Sequence, residues 1–592
     1  MSDTGADNLL GMLQATAQAH GERPALSSWH DGAWRTLTYA DLWDLSQRFG
    51  RGLRALGVKP GDRVAIAAES CPRWVVADFG ILAAGAVNTA MFPSLPPGQM
   101  EYILSDSGAW LLIVGDPQLL QKALVIRRTM PDLQIVLLDG EPPADADVVT
   151  CEQLLDGGDD TAALPPPPPP TALASLIYTS GTTGRQKGVM LTHHNFVANV
   201  AQCREVLVFQ PDDVLLSVLP LNHVFERTAG CYLPLSCGSH VFYCENLRRL
   251  REHLPQVRPT YMILVPRFLE SLRDALVDRM AKAPPLRRAL FAWGTALGKM
   301  RLQCVLKRRP VPLYVAAEYR LADRIILRKI RAAIGLDRIK NLVSGAAALS
   351  VQINEFFQSL GLEVLEGYGL TEAAPVVSVN RPGAVTVGTV GPPLPGVEVA
   401  LGEHDEILVR GPNVMEGYYR LPEDTEAALD ADGWLHTGDV GALRGEYLCI
   451  TDRLKDLLVL TNGKNVAPQP IELHLCTSPY IAQAVVLGDS ESYITALIVP
   501  AFERLRHWAQ TQRLELPEAP HEAAGHEAVQ DLIRREVRRL TEHLADFEKV
   551  RDFRVLAQEF TVEGGELTPT LKVKRRVVLQ THQAHIASMY GR

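Results

Sequence analysis

The chain has 592 residues, too many for a single hydrophobic core, and at about 150 residues per packing unit it should hold several. Its 47% hydrophobic and 21% charged residues exclude a mostly disordered protein, and its formal net charge of −9 argues against a general nucleic-acid binder. Nine cysteines, at 71, 151, 203, 231, 237, 244, 304, 449 and 476, include no C-x-x-C pair and there is no histidine cluster at metal spacing, so they read as reduced and mostly structural.

The first residues, MSDTGADNLLGML, carry acidic side chains where an export or import signal would carry basic ones, which predicts a cytoplasmic protein. From Ala25 to about Asp139 short apolar runs (RVAIAA, WLLIVG, QIVLLD) alternate with helical stretches such as Tyr39 to Leu56, the rhythm of α/β layers. Trp74 to Val87 is the most apolar long segment; it holds Asp78 and falls short of a membrane span, so it predicts a buried helix. The prolines Pro165 to Pro170 can neither donate hydrogen bonds nor enter a helix interior, and predict an exposed polyproline spacer.

Next comes YTSGTTGRQKG, Tyr178 to Gly188, between the predicted strands SLIY and GVML. Its glycines let backbone N–H groups approach an oxyanion, its hydroxyls add donors, and Lys187 adds a point charge. That is the chemistry of a phosphate loop, although the spacing does not fit G-x-x-x-x-G-K-[ST]; the plain alternative is a polar surface turn. Further strands are predicted at VLLSVLP and YMILVP. Between them LPLNHVFER, Leu219 to Arg227, puts His223 in a loop after a strand, where a histidine on its own is more often structural than catalytic.

Residues 279–331 hold fourteen Lys and Arg against only Glu318 and Asp323. Leu286, Leu290, Trp293, Leu297, Met300 and Cys304 repeat there at helical spacing, with Arg287, Arg288, Lys299 and Arg301 off the stripe. Such a helix either packs on the body of the protein or lies on an anionic membrane surface. The small residues of VSGAAALS, with Gly345 and Ala346, and the apolar wall of YMILVPRF, with Val265, could line an acyl pocket. GYGLTE, Gly367 to Glu372, could bracket an adenine and reach Mg²⁺, and Asp439 in DGWLHTGD is an acceptor-only group suited to ribose hydroxyls. Beyond DRLKD, Asp452 to Asp456, a smaller α+β unit is predicted to end in LTPTLKVKRRVV. The boundary is placed between residues 453 and 454.

Taken in order, the phosphate loop, LPLNHVFER, GYGLTE, DGWLHTGD, DRLKD and LTPTLK resemble the adenylate-forming superfamily of acyl-CoA synthetases, adenylation domains and luciferases, from about Asn8 to Val578. HVFER, TPTLKVKRR, GKNVAPQPIE and the insertion near 280–330 are most similar to long-chain fatty-acid CoA ligases. The resemblance implies an α/β fold with a large multi-lobed N-terminal domain, residues 1–453, and a small mobile C-terminal lid, residues 454–592. Its co-substrates would be ATP, Mg²⁺ and coenzyme A. Thr179, Ser180, Gly181, Thr182, Thr183 and Gly184 would cradle the β- and γ-phosphates, with Lys187 as an added charge. Gly367 and Tyr368 would meet the adenine, Thr371 the α-phosphate and Glu372 the metal. Asp439 and Arg453 would take the ribose, and His223 would stand where carboxylate and thiol arrive. Lys572 matches the superfamily's catalytic lysine, a choice over Lys574 made on register, and Lys455 or its neighbour would be the hinge. Gln186 departs from the family, which usually has proline there, and predicts a slightly looser loop.

The implied reaction activates a fatty acid as acyl-AMP and transfers it to CoA. A ligase that loads an acyl carrier protein would share every nucleotide motif. A non-catalytic lipid-binding protein would have no reason to keep Lys187, Glu372, Asp439 and Lys572 together, and no residue is diagnostic of a luciferase-like oxygenase.

Overall fold

A computed structural model describes residues 7–156, 163–180, 186–307, 309–462, 464–561, 564–567 and 573–591. The chain forms two compact units: Met1–Val399 with Leu408–His436 and Gly445–Leu448, and Ala400–Ile407 with Thr437–Arg444 and Cys449–Arg592. The fold is α/β, as its sequence rhythm implies.

Two eight-stranded sheets dominate the first unit. One runs Val376–Val379, Val364–Gly369, Asn341–Ser344, Tyr261–Leu264, Val214–Ser217, His240–Tyr243, Pro24–His30 and Ala33–Thr38, parallel inside with an antiparallel strand at each edge. The other runs Gly417–Tyr418, Gln186–Thr192, Leu173–Ser180, Val87–Ala90, Arg63–Ala67, Leu111–Val114, Gln134–Leu137 and Val149–Thr150. It is parallel from Leu173–Ser180 onward and antiparallel at the opposite edge. Strands such as Leu111–Val114 and Tyr261–Leu264 are buried at every residue, which explains why they read as continuous apolar runs rather than alternating ones.

The predicted buried helix spans Pro72–Ala83 and buries every residue except Arg73. It packs on the helix Tyr39–Ala55 and touches a strand of each sheet, Pro24–His30 and Val87–Ala90. Glycine is required at this crossing: a Cβ on Gly80 would stand 2.6 Å from Cδ1 of Phe49. The proline spacer is less exposed than its composition implies. Pro165 and Pro168, three residues apart, are half-buried, and the Pro168 carbonyl accepts a hydrogen bond from Asn8.

The predicted stripe of the basic segment is split by the structure. The helix Pro285–Leu306 buries Leu297 together with Gly294 and Gly298, and packs Leu290 and Trp293 partly against the core. Leu286 and Met300 stay exposed. Leu286 shares the side of Leu297 but stands in the first turn of the helix, whereas Met300 is turned away from the glycines. A Cβ on Gly298 would stand 2.1 Å from the Ser359 carbonyl, so the glycine side, free of side chains, is the side that comes closest to the helix Val351–Ser359.

The second unit holds a three-stranded sheet, Ile481–Leu487, Thr495–Pro500 and Asp552–Val555. Against its core lies the helix Glu527–Thr541, which buries Val529, Leu532, Ile533, Val537 and Leu540 on one face and leaves Arg534, Arg535 and Arg538 outside.

Candidate active site

The strands on either side of the glycine- and threonine-rich stretch pair with each other. Leu173–Ser180 pairs antiparallel with Gln186–Thr192, Thr179 opposite Lys187 and Ser180 opposite Gln186. Gly181, Thr182, Thr183 and Gly184 lie outside the described residues, and of Ser180 only the backbone is described. Gln186 continues the strand, and its carbonyl accepts a hydrogen bond of 2.9 Å from the Tyr102 hydroxyl, an anchor that proline could also use.

Lys187 is half-buried and placed by two neighbours. Its ammonium pairs with Asp424, at the start of the helix Pro422–Ala428, and lies 4.9 Å from the ring centroid of Tyr418. Tyr418 belongs to the edge strand Gly417–Tyr418 and pairs with Val189. Its hydroxyl donates to Oε1 of Glu372 at 2.9 Å. Burial, and then the Glu372 carboxylate, push that hydroxyl well above its ordinary titration range, so it stays a donor. Lys187 and Glu372, far apart in sequence, are therefore joined through one tyrosine.

Glu372 stands on the single 3₁₀ turn Thr371–Ala373, which follows the strand Val364–Gly369 carrying Gly367 and Tyr368. The turn is held from several directions: Met415 donates to the Glu372 carbonyl at 2.8 Å, Asn413 to the Ala373 carbonyl at 2.8 Å, and Thr228 to the Ala374 carbonyl at 3.2 Å. A Cβ on Gly369 would stand 2.0 Å from the Pro375 carbonyl, so glycine is required where the strand folds back. Gly367 to Glu372 are all half-buried, so each keeps some surface exposed. Among the described residues no group of three or more His, Cys, Asp or Glu could hold a metal. A lone carboxylate fits Mg²⁺ that arrives on nucleotide phosphates, since this ion commonly uses one or two carboxylates plus phosphate oxygens rather than a protein cage.

His223 is half-buried, and its Nδ1 accepts the Phe225 N–H at 3.1 Å. Phe225 in turn covers Gly345, where a Cβ would lie 2.8 Å from Cζ of that ring. The Gly345 N–H donates to the Leu264 carbonyl at 3.2 Å, and Ala346 adopts a left-handed φ of 68°. Val265 precedes the helix Pro266–Ala281 and is half-buried. The His223 loop and the small-residue run are thus neighbours, as the pocket reading requires.

The charged pair that follows His223 in LPLNHVFER carries more structure than the sequence reading gave it. Arg227 is fully buried against Asp78, and its guanidinium also reaches Ser175 at 2.9 Å and Tyr232 at 2.7 Å. Asn88 and Tyr232 each donate to Asp78 at 2.6 Å, and the ring of Trp74 lies 5.4 Å from the guanidinium carbon. Ser175 is on the strand that leads into the glycine- and threonine-rich stretch, so this network ties that strand to the His223 motif. Glu226 beside it is also buried, with Ser217 donating to one oxygen at 2.6 Å, and burial pushes its carboxyl up to about 8. An aspartate inside an otherwise apolar buried helix was the signal that a cation must meet it. Tyr418 and Asp424 gave no such signal in advance.

In the second unit Asp439 is buried on the strand Leu435–Arg444, and Arg453 ends the strand Tyr447–Arg453. The guanidinium Nε donates to Oδ1 of Asp439 at 3.0 Å, which brings the two predicted ribose residues together. The neighbouring Asp452 accepts the backbone N–H groups of Arg453 and Gln469, and burial pushes its carboxyl up to about 6. Lys455 is exposed on the turn that follows. Lys572 lies outside the described residues.

Residues 13–419 match the family described as AMP-binding enzyme, and residues 455–592 match the AMP-binding enzyme C-terminal domain. The chain belongs to the AMP-binding enzyme family. This AMP-binding enzyme is 33% identical over 574 residues to the long-chain-fatty-acid–CoA ligase FadD15 of Mycobacterium tuberculosis, covering 95% of this chain and 93% of the relative. It is 28% identical over 643 residues to the chloroplastic long-chain-fatty-acid–[acyl-carrier-protein] ligase AEE15 of Arabidopsis thaliana, with 98% and 86% covered. Its fold matches the adenylation domain of a carboxylate reductase from Mycobacterium chelonae with a TM-score of 0.76 at 25% identity, covering 100% of this chain and 92% of that one.

Proposed function

We propose that this AMP-binding enzyme activates a long-chain fatty acid as acyl-AMP and transfers the acyl group to coenzyme A, giving acyl-CoA, AMP and diphosphate. The observation that carries the reading is the connection of Lys187 through Tyr418 to Glu372: one cation and one carboxylate, each carried by a segment whose sequence is rich in glycine and hydroxyls, are held by one tyrosine. A carboxylate is a poor electrophile, and joining one of its oxygens to phosphorus as a mixed acyl-phosphate anhydride, with AMP as the leaving group, makes the acyl carbon reactive. In the first half-reaction a carboxylate oxygen attacks the α-phosphorus in line and the bond to the β-phosphate bridge breaks. The loop from Thr179 to Gly184 and Lys187 hold the departing diphosphate, Thr371 meets the α-phosphate, and Lys572 offsets charge developing between carboxylate and phosphate. Glu372 would hold Mg²⁺ arriving with the nucleotide, and the ion would supply charge neutralisation. Gly367 and Tyr368 receive the adenine, and Asp439 with Arg453 receives the ribose.

In the second half-reaction the thiol of CoA attacks the acyl carbon and AMP leaves. The segment carrying Lys572 has to vacate the space the thiol needs, and rotation of a C-terminal lid, residues 454–592, about Lys455 accomplishes this. His223 faces the arriving groups, and Val265, Gly345 and Ala346 line the acyl side. The enzyme works in the cytoplasm and attaches peripherally to the inner face of the cell membrane, where long-chain acids accumulate.

A carrier protein in place of CoA is the second reading, favoured by the likeness to the chloroplastic carrier-protein ligase. Acid-dependent ATP/diphosphate exchange across C2 to C18 acids, followed by thioester formation with CoA or with a phosphopantetheinyl carrier protein, tests both. Exchange and CoA thioester rising together with chain length support the proposal. Exchange with thioester formed only on the carrier overturns the CoA step, and exchange confined to short or aromatic acids overturns the substrate class.

A further inference from the structure

We propose that the helical pair Pro285–Leu306 and Leu313–Ala322 is the surface that docks on an anionic bilayer, an inference that rests on the membrane attachment above and assigns it to named residues. Residues 279–331 carry fourteen Lys and Arg against two acidic residues, a balance of about +12 in a chain whose total is −9. If those charges served only to pair with the acidic remainder, the structure would show it. Instead Arg287, Arg288, Lys299, Arg301, Lys307 and Arg309 are exposed and make no ion pair among the described residues. Among the described residues the ion pair formed here, Arg331 with Asp323 at 2.7 Å, is internal to the segment.

The two helices are fixed from inside, which leaves their outer side free. Gly294 and Gly298 bring Pro285–Leu306 against Leu327 and Ser359, and Leu297 completes the buried side. Several large apolar residues of the pair are exposed. Leu313 is 88% exposed, Leu286 72% and Tyr314 61%, with Met300 and Val305 exposed as well. Leu313 and Tyr314 begin the second helix close in sequence to Lys307 and Arg309, so apolar and basic groups are presented together.

That combination selects the occupant. An acidic protein surface would satisfy the charge but leave Leu313 and Tyr314 to be matched separately, whereas a bilayer offers anionic headgroups above hydrocarbon at one surface. Tyrosine is at home at that boundary, with its ring in the apolar layer and its hydroxyl in water. No helix among the described residues is long and apolar enough to cross a membrane, so contact of this kind would be at the interface. Each basic residue near an anionic surface raises partitioning roughly fivefold, an effect screened within about 8 to 10 Å at physiological salt.

The test is co-sedimentation of the full-length protein with vesicles of phosphatidylcholine alone or with phosphatidylglycerol added, at low and high salt. Binding should need the anionic lipid and weaken with salt. It should fall at least tenfold in Leu313→Ser/Tyr314→Ser and in Arg287→Gln/Arg288→Gln/Lys299→Gln/Lys307→Gln, with melting temperature and turnover of a water-soluble short acid unchanged. Wild-type protein that ignores anionic vesicles at low salt overturns the membrane attachment and this inference together. Wild-type binding that both variants retain overturns the helical pair alone. Loss of carrier-protein binding in the variants without any vesicle binding reassigns the surface to an acidic protein.

Discussion

Arg227 and the arginines of the helix Pro285–Leu306 carry the same charge under opposite conditions. Arg227 has no exposed surface and a partner for its donors on several sides, in Asp78, Ser175 and Tyr232, with Trp74, Phe196 and Tyr232 rings around it. Arg287 and Arg288 are exposed and make no ion pair among the described residues, on a helix whose buried side is made of glycine and leucine. A buried cation requires a complete set of partners to be tolerated at all, so its surroundings are specified by the fold. An exposed cation is stabilised by water and needs none, so its placement answers to something outside the fold. The contrast separates charge that holds the active-site frame together from charge that is available to a partner.

Removing Arg227 should have the largest effect. Arg227→Met leaves Asp78 buried without its cation, and breaking such a pair costs about 3–5 kcal/mol. The first unit should melt well below the wild type, and adding Asp78→Asn should recover part of the loss, because the variants share one network. A melting temperature equal to that of the wild type would mean that the network does not hold the frame.

Glu226 sharpens the same point through pH. Its carboxyl is neutral in the native protein up to about pH 8, against an ordinary value of 4.5, because burial disfavours the anion. Unfolding therefore releases a proton between those limits, and native stability falls as pH rises through them. Glu226→Gln has no proton to release. It should melt close to the wild type at pH 4 and above it at pH 8, by an amount of the order of a few kcal/mol at about 1.4 kcal/mol per unit. A gap that does not widen with pH would place the carboxylate, not the acid, in the core.

Much of this region could be read in the chain itself. Continuous apolar runs gave the buried parallel strands, and SLIY and GVML, read as strands on either side of the glycine- and threonine-rich stretch, are strands that pair with each other. The pairing of Asp78 with Arg227 could not be read, because 149 positions separate them and only the packing of one helix between two sheets brings them together. The split stripe of Pro285–Leu306 was hidden for another reason: hydrophobic periodicity counts side chains, and the contact side of that helix is partly Gly294 and Gly298, which have none. Tyr418 and Asp424 sit on elements of two and seven residues, too short to announce a role.

Tyr418 lies between the two extremes, half-buried with one polar contact to a carboxylate. Tyr418→Phe keeps the ring beneath Lys187 and removes the hydrogen bond to Glu372, worth about 1.5–3 kcal/mol for a charged acceptor. The KM for MgATP should rise roughly tenfold while the melting temperature changes little; equal shifts in both would make the contact structural. Smallest of all is the effect of neutralising the exposed helix. Arg287→Gln/Arg288→Gln/Lys299→Gln/Lys307→Gln should change stability by about 0.5 kcal/mol or less, as surface substitutions do. A larger loss, seen as a fall in melting temperature, would return those charges to the fold.

Isotope transfer tests the proposed chemistry most directly. With both carboxylate oxygens of a long-chain acid replaced by ¹⁸O, attack on the α-phosphorus followed by thiol attack on the acyl carbon leaves one labelled oxygen on the nucleotide. Mass spectrometry of the products of a reaction with ATP and CoA should find AMP carrying one ¹⁸O and the acyl thioester carrying the other. Unlabelled AMP, or label in inorganic phosphate with ADP as product, would contradict an acyl-AMP route.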